Sequence, residues 1–147
     1  MANPIHFPFH LAIPVRNIAE SKAFYIDTLG CQPGRSSDHW IDLDLYGHQL
    51  VCHLDQSLGD EGKVNLINND VDDHGVPVPH FGVVLDMQRW QDLADKLKSA
   101  GIEFIIEPYI RFKDMPGEQA TLFFLDPSGN ALEFKAFKDI SQLFNAN

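Results

Sequence analysis

The sequence predicts an α+β fold, two repeated βαβββ modules forming a half-open mixed β-barrel with the helices outside. Three observations predict it. Two stretches share one order of features: His10-Leu-Ala-Ile-Pro-Val15, a polar step at Arg16 and Asn17 and a helix-spaced segment ending at Gly30 are matched by His80-Phe-Gly-Val-Val-Leu85, a polar step at Asp86 and a second such segment ending at Gly101. The distance from histidine to terminal glycine is 20 residues in one half and 21 in the other. Each helix-spaced segment is then followed by strand signals and not by another helix.

The elements follow in order. The first strand runs over His10–Val15, with Phe9, Leu11, Ile13 and Val15 as its apolar set. Ile18 to Leu29 has helical spacing, with Asn17 or Ser21 as the cap, an apolar stripe of Ala19, Ala23, Phe24 and Leu29, and Gly30 as a left-handed stop. Three strands follow: a weak one at Gln32–Ser36, then Trp40–Tyr46, a turn at Gly47, and Gln49–Leu54. In the second half the strand His80–Leu85 precedes a helix on which Trp90, Leu93, Ala94 and Leu97 fall at i, i+3, i+4 and i+7. Lys96 and Lys98 lie near its carbonyl end, where positive charge is favoured. Strands over Phe104–Phe112 and Gln119–Leu125, the turn Asp126-Pro-Ser-Gly-Asn130 and a last strand Ala131–Phe137 complete the module.

One domain over residues 1–147 is therefore expected, with module one at about 6–54, a linker at 55–78 and module two at about 79–138. The linker is acidic and contains Gly and Asn, and it reads as a long loop, a lid or a dimer arm. Its Asp70, Asp72 and Asp73 lack the glycine and terminal glutamate of a calcium loop and read as solvated.

Composition narrows the functional class. Hydrophobic residues at 44% and charged residues at 22% are those of a globular protein. No run spans a bilayer, and the start Met-Ala-Asn-Pro-Ile-His lacks the basic and apolar regions of a secretory signal, so a cytoplasmic protein is expected, without membrane partners. A formal charge of −10, with 11 scattered Lys and Arg, argues against nucleic acid as a partner. It leaves a small-molecule substrate open, since local charge in a cleft can oppose the net value. Cys31 and Cys52 are too few and too far apart for a disulfide scaffold and read as reduced, Cys52 as a core residue.

Strand parity then selects the side chains that carry chemistry. Successive residues of a strand face opposite sides, so the apolar sets place His10, His80 and Glu133 all away from the helix-covered face. Taken singly, each reads as an ordinary polar strand residue. Taken together, two imidazoles and one carboxylate of matching parity in two repeats make a metal site with open positions, the arrangement of non-haem Fe(II) oxygenases; Mn(II), Zn(II) or Ni(II) also fit. The same parity points His53 inward with Gln49 and Val51, making it a candidate acid/base, because imidazole titrates near neutrality. Tyr109, a second candidate catalytic residue, and Arg111 are placed to orient an anionic or phenolic substrate, although surface pairing is the commoner fate of an arginine. His48 reads as a turn or rim residue, and His6, His39 and His74 are assigned no role.

These residues resemble the vicinal-oxygen-chelate superfamily, which includes glyoxalase I, fosfomycin-resistance transferases, bleomycin-resistance proteins and extradiol dioxygenases. The resemblance covers about residues 6–138. It is carried by Phe9-His-Leu-Ala-Ile-Pro-Val15 with Phe24-Tyr25 and Leu29-Gly30, by Pro79-His-Phe-Gly-Val83, and by Phe124-Leu-Asp-Pro-Ser-Gly-Asn-Ala-Leu-Glu-Phe134. It implies metal ligands at His10, His80 and Glu133. Glyoxalase I adds a glutamate on the strand where this chain has Gln49, Val51, Cys52 and His53, which counts against a four-ligand isomerase. Gly47–Leu54 and Glu107–Phe112 look most like the short dioxygenase-like members. The expectation is an extradiol-type dioxygenase holding Fe(II) and acting on a small vicinal-oxygen substrate, with a homodimer as the usual assembly, so that His10 shares a metal with His80 within one chain or across two. The alternatives are a metal-dependent isomerase or thiol transferase, and a metal-free binding protein of the resistance type.

Overall fold

The computed structural model describes residues 7–71 and 74–146; His6 of the first module, and Asp72 and Asp73 of the acidic cluster, lie outside the described residues. The chain divides into two compact units, one up to Gly62 and one from Lys63 onward.

The first unit contains β1 (His10–Val15), α1 (Ile18–Lys22), β2 (Gln32–Ser36), β3 (Trp40–Leu45) and β4 (His48–Leu54) in an open sheet of order β1-β4-β3-β2. β1 runs parallel to β4, and the other neighbours are antiparallel. Ile13, Val15, Ile41, Leu43, Leu45, Leu50 and Cys52 form the buried side. The expected apolar set fails only at Phe9, which precedes β1 and is 65% exposed. β3 and β4 are joined through Tyr46 and Gly47, both at positive φ, in the primed geometry whose twist suits a two-residue hairpin. Asp44 clamps this turn by accepting the Gly47 amide at 2.6 Å.

The first helix departs from its reading. Asn17 is the cap, its side chain accepting the Glu20 amide, but after Lys22 the backbone widens into a π-helix over Ala23–Thr28. Ala19 and Ala23 are exposed, while Ser21, Phe24, Tyr25 and Leu29 are buried. The reason lies in the spacing: Phe24 and Leu29 are five residues apart, which an α-helix of 3.6 residues per turn cannot keep on one face but a π-turn can. The Leu29 amide accordingly bonds the Phe24 carbonyl at 2.9 Å.

The second unit repeats the same connection. β7 (His80–Phe81) and β8 (Val84–Leu85), α2 (Met87–Ser99), β9 (Phe104–Arg111), β10 (Gln119–Leu125) and β11 (Ala131–Phe137) form a sheet of order β7-β11-β10-β9, with β8 also parallel to β11. The expected continuous strand His80–Leu85 is thus interrupted at Gly82 and Val83. All four residues of the stripe on α2 are buried, and Trp90 donates its indole N–H to the Phe134 carbonyl at 3.1 Å, tying helix to sheet. Asp86 caps α2 by accepting the Arg89 amide. Asp126 holds the turn before β11 by accepting the amides of Ser128 and Asn130, with Gly129 at positive φ.

The stretch expected as a long loop is instead partly ordered. β5 (Ile67–Val71) and β6 (His74–Val78) pair antiparallel as a hairpin. Most of its residues are exposed, so it shows no alternation of apolar and polar positions, but Val76 anchors it in an apolar cluster with Ile106, Phe123 and Ala131. Both cysteines are buried thiols. Among the described residues no helix is long and apolar enough to cross a membrane.

Candidate functional site

In the second unit, His80 and Glu133 are brought together by the parallel pairing of β7 with β11, in which Ala131 lies opposite His80 and Glu133 is two residues further on. His80 Nε2 is 3.4 Å from Glu133 Oε1. The far side of the ring is fixed: His80 Nδ1 lies 2.7 Å from the Pro77 carbonyl, which can only accept, so Nδ1 carries the proton in the neutral ring. Nε2 then presents a lone pair to a carboxylate. Two acceptors in this position need a cation between them or a proton on the ring. The ring is further held edge-on against Phe123, with centroids 4.9 Å apart.

Glu133 is fixed in turn. Phe134 and Leu132 on either side of it are fully buried, which forces Glu133 onto the opposite face. Thr121, on the neighbouring β10, donates its hydroxyl to Glu133 Oε2 at 2.7 Å, leaving Oε1 toward His80. Lys135 Nζ lies 3.9 Å from the same Oε1. Gly82 permits the backbone approach, since a Cβ there would fall 1.6 Å from the Glu133 carbonyl oxygen. Thr121, Gly82 and the Pro77 carbonyl were not singled out in the sequence. Thr121 has a readable signal: pairing the last two strands about the Asp126–Asn130 turn puts it opposite Lys135, on Glu133's face. The Pro77 carbonyl has none.

His80, Thr121, Glu133 and Lys135 line a cleft of about 290 Å³. Tyr109 and Arg111 line it from β9, and Val71 and Val76 of the hairpin contribute apolar wall. Tyr109 lies in register with Thr121 and packs on the apolar cluster. The Arg111 guanidinium also stacks over the Phe112 ring.

In the first unit, His10 lies in register with Gln49, and its Nδ1 is 2.9 Å from Gln49 Oε1. With the Gln49 oxygen turned toward the ring, Nδ1 carries the proton and Nε2 is the acceptor. His10 is exposed, on the face opposite Ile13 and Val15. His48 accepts the Phe9 amide on Nδ1 at 2.8 Å and starts β4. His53 shares the face of His10, but it pairs with Pro14 and Trp40, four residues along β4 from Gln49. At about 3.3 Å per residue that separates the two by roughly 13 Å. His53 instead lines a separate open cleft with Ala12, Pro14, His39 and Asp55. Among the described residues no three His, Cys, Asp or Glu side chains are grouped so as to hold a metal.

The repeat makes the two ladders comparable position by position. His10 and Gln49 in the first unit correspond to His80 and Ala131 in the second, and the next row is Ala12 and Val51 against Gly82 and Glu133. Val51, 5% exposed, therefore stands where a symmetric duplication would put a second carboxylate.

Comparison with known proteins agrees with this architecture. The Glyoxalase/Bleomycin resistance protein/Dioxygenase superfamily profile matches residues 8–134. A glyoxalase/bleomycin resistance protein/dioxygenase from Alicyclobacillus acidocaldarius is 34% identical, with a TM-score of 0.73 over 98% of this chain and 100% of that one. The genomically encoded fosfomycin resistance protein of Listeria monocytogenes shares the fold at 14% identity, with a TM-score of 0.62 over 90% and 94% of the two chains. Lactoylglutathione lyase from Agrobacterium tumefaciens does so at 15% identity, with a TM-score of 0.63 over 97% and 98%. No curated protein matches the chain at a significant level. From its duplicated βαβββ units and the match over most of its length, the chain belongs to the glyoxalase/bleomycin resistance protein/dioxygenase superfamily.

Proposed function

We propose that the protein is a metal-dependent enzyme acting on a small vicinal-oxygen substrate by extradiol-type oxidation, with His80, Glu133 and His10 as its metal ligands and Fe(II) as the metal. The observation that carries this reading is the His80–Glu133 pair, Nε2 standing 3.4 Å from a carboxylate oxygen with both side chains tied down from behind. Two ligand atoms on one cation, each about 2.1 Å from it, are about 3.0–3.4 Å apart, so the donor set fits a divalent metal. The hydrogen bonds from behind are of the kind that orient metal ligands and set their tautomer. Gln49 prepares His10 in the same way. When bound, such a metal supplies Lewis acidity toward adjacent substrate oxygens and, as Fe(II), a path for electrons to O2.

The chain's own residues supply the rest. Thr121 keeps Glu133 aimed, and Tyr109, at the cleft wall, is the group within the second unit that can exchange a proton with a bound phenol. His53 is given no step at His10, because it is four residues away along β4. The two alternatives of a four-ligand isomerase and a metal-free binder are less well supported. The first lacks a carboxylate at Gln49 or Val51, and the second has to hold His80 and Glu133 together by a proton on the ring. A homodimer and a cytoplasmic location remain part of the proposal.

Oxygen uptake tests it. Protein reconstituted with Fe(II) is expected to consume O2 with at least one member of a catechol panel and to form a coloured ring-opened product, and His80→Ala to abolish both. Metal-loaded protein that consumes no O2 with any member would overturn the oxidation, and would leave isomerase or transferase chemistry to be tested on the same site.

A further inference from the structure

The charge of the cleft runs against that of the chain. The protein carries 21 acidic and 11 basic side chains, yet among the described residues lining the second unit's cleft Glu133 is the one acid, and Lys135 and Arg111 are both basic. Glu133 is already committed to His80 and Thr121. Lys135 lies in register with Thr121, and Thr121 with Tyr109, so an ammonium and a phenol end one row across three strands. The row holding Glu133 is the adjacent one, two residues along, or about 6–7 Å away. That row also carries Ile106, in register with Phe123, and Val71 and Val76 of the hairpin add apolar wall. An acidic surface that repels anions in general, with a cationic point inside one cleft, selects anions small enough to enter it.

We infer that the substrate is a small, apolar-bodied molecule bearing a carboxylate, which Lys135 holds with help from Tyr109, one row away from the chelating end at Glu133. The chelating end rests on the metal reading above, but the carboxylate site does not. Lys135 is half exposed at 46%, so its flexible stem can swing from Glu133 toward an incoming anion without unfolding anything.

Titration calorimetry with three probes separates the two ideas: benzoate carries only the anion, catechol only the vicinal oxygens, and 3,4-dihydroxybenzoate both. Each is titrated into wild type, Lys135→Met and Lys135→Arg, with zinc present and with chelator present. Lys135→Met is expected to weaken benzoate and 3,4-dihydroxybenzoate about fivefold, the size of a half-exposed ion pair, to leave catechol within about twofold, and Lys135→Arg to restore binding. If benzoate shows this pattern while catechol ignores the chelator, the carboxylate site stands and the metal reading falls. If catechol needs zinc but Lys135→Met leaves both carboxylates unchanged, the metal reading stands and this inference is overturned. Failure of benzoate to bind wild type at all also overturns it.

Discussion

The two units of this protein are built on one connection and differ in the row beside the histidine. The first has Ala12 and Val51 there, on an uninterrupted β1; the second has Gly82 and Glu133, where the strand breaks into β7 and β8. In the first unit two side chains fill the row with apolar bulk. In the second, loss of a single Cβ lets the backbone of residue 82 close on the Glu133 carbonyl, while Glu133 itself replaces bulk with charge. A duplicated sheet thus supplies two similarly braced histidines but one carboxylate. The fold fixes where such side chains can stand, and a change at one ladder row decides how many there are.

The largest effect expected from breaking this difference comes at Gly82. Gly82→Ala drives a Cβ into the backbone at 1.6 Å, so the strand must move, and a loss of about 3 kcal/mol or more is expected in denaturant unfolding. The reciprocal change Ala12→Gly is expected to cost only about 0.5–1 kcal/mol, the ordinary price of glycine in a strand. Equal effects would show that the two rows are not distinguished as described.

Val51→Glu sharpens the comparison by giving the first unit the pair found in the second. A carboxylate at this buried position is expected to lower stability by about 2 kcal/mol without metal. Zinc should recover part of the loss, which thermal unfolding with and without chelator would reveal; no difference with zinc would count against His10 as a ligand. Thr121→Val removes the hydroxyl that braces Glu133 while keeping the shape. Metal affinity is expected to fall about tenfold in a competition titration, in the range of lost outer-shell hydrogen bonds, with little change in fold.

The smallest effect lies in the helix caps. The Arg89 amide, and then its guanidinium, hold the Asp86 carboxyl below its ordinary pKa, so its ionised form stabilises the fold above about pH 4 and that contribution fades as pH falls through the lowered value. Asp86→Asn keeps a capping oxygen and removes the charge. Its melting temperature should lie slightly below wild type at pH 7 and converge with it on acidification. Asn17, the neutral cap of α1, should show no such convergence on Asn17→Ser.

Much of this was legible in the sequence, because burial on one face writes itself as alternation. β1, β4 and β11 could be placed from Ile13 and Val15, Leu50 and Cys52, and Leu132 and Phe134, whose parity put His10 and Glu133 on the open faces, and Phe81, Val83 and Leu85 did the same for His80. Elements without a one-sided apolar pattern were not legible. The hairpin of β5 and β6 reads as loop because Ile67-Asn-Asn-Asp-Val71 is exposed throughout and β6 contains a proline. The π-turn was hidden because a search for spacings of three and four passes over the five-residue step from Phe24 to Leu29. At the site, ligand types carry a sequence signal, whereas their braces depend on register and on backbone groups: Thr121 is visible only once β10 is paired with β11, and the Pro77 carbonyl not at all.

If the proposal is right, His80 and Glu133 hold a divalent metal. Elemental analysis of protein purified without chelator, wild type beside Glu133→Ala and with circular dichroism to confirm folding, tests it most directly. Close to one metal per chain is expected in wild type, with a loss of most of it in the folded variant. Wild type without metal after incubation with Fe(II), Mn(II), Zn(II) and Ni(II), or equal metal in the two proteins, would contradict it.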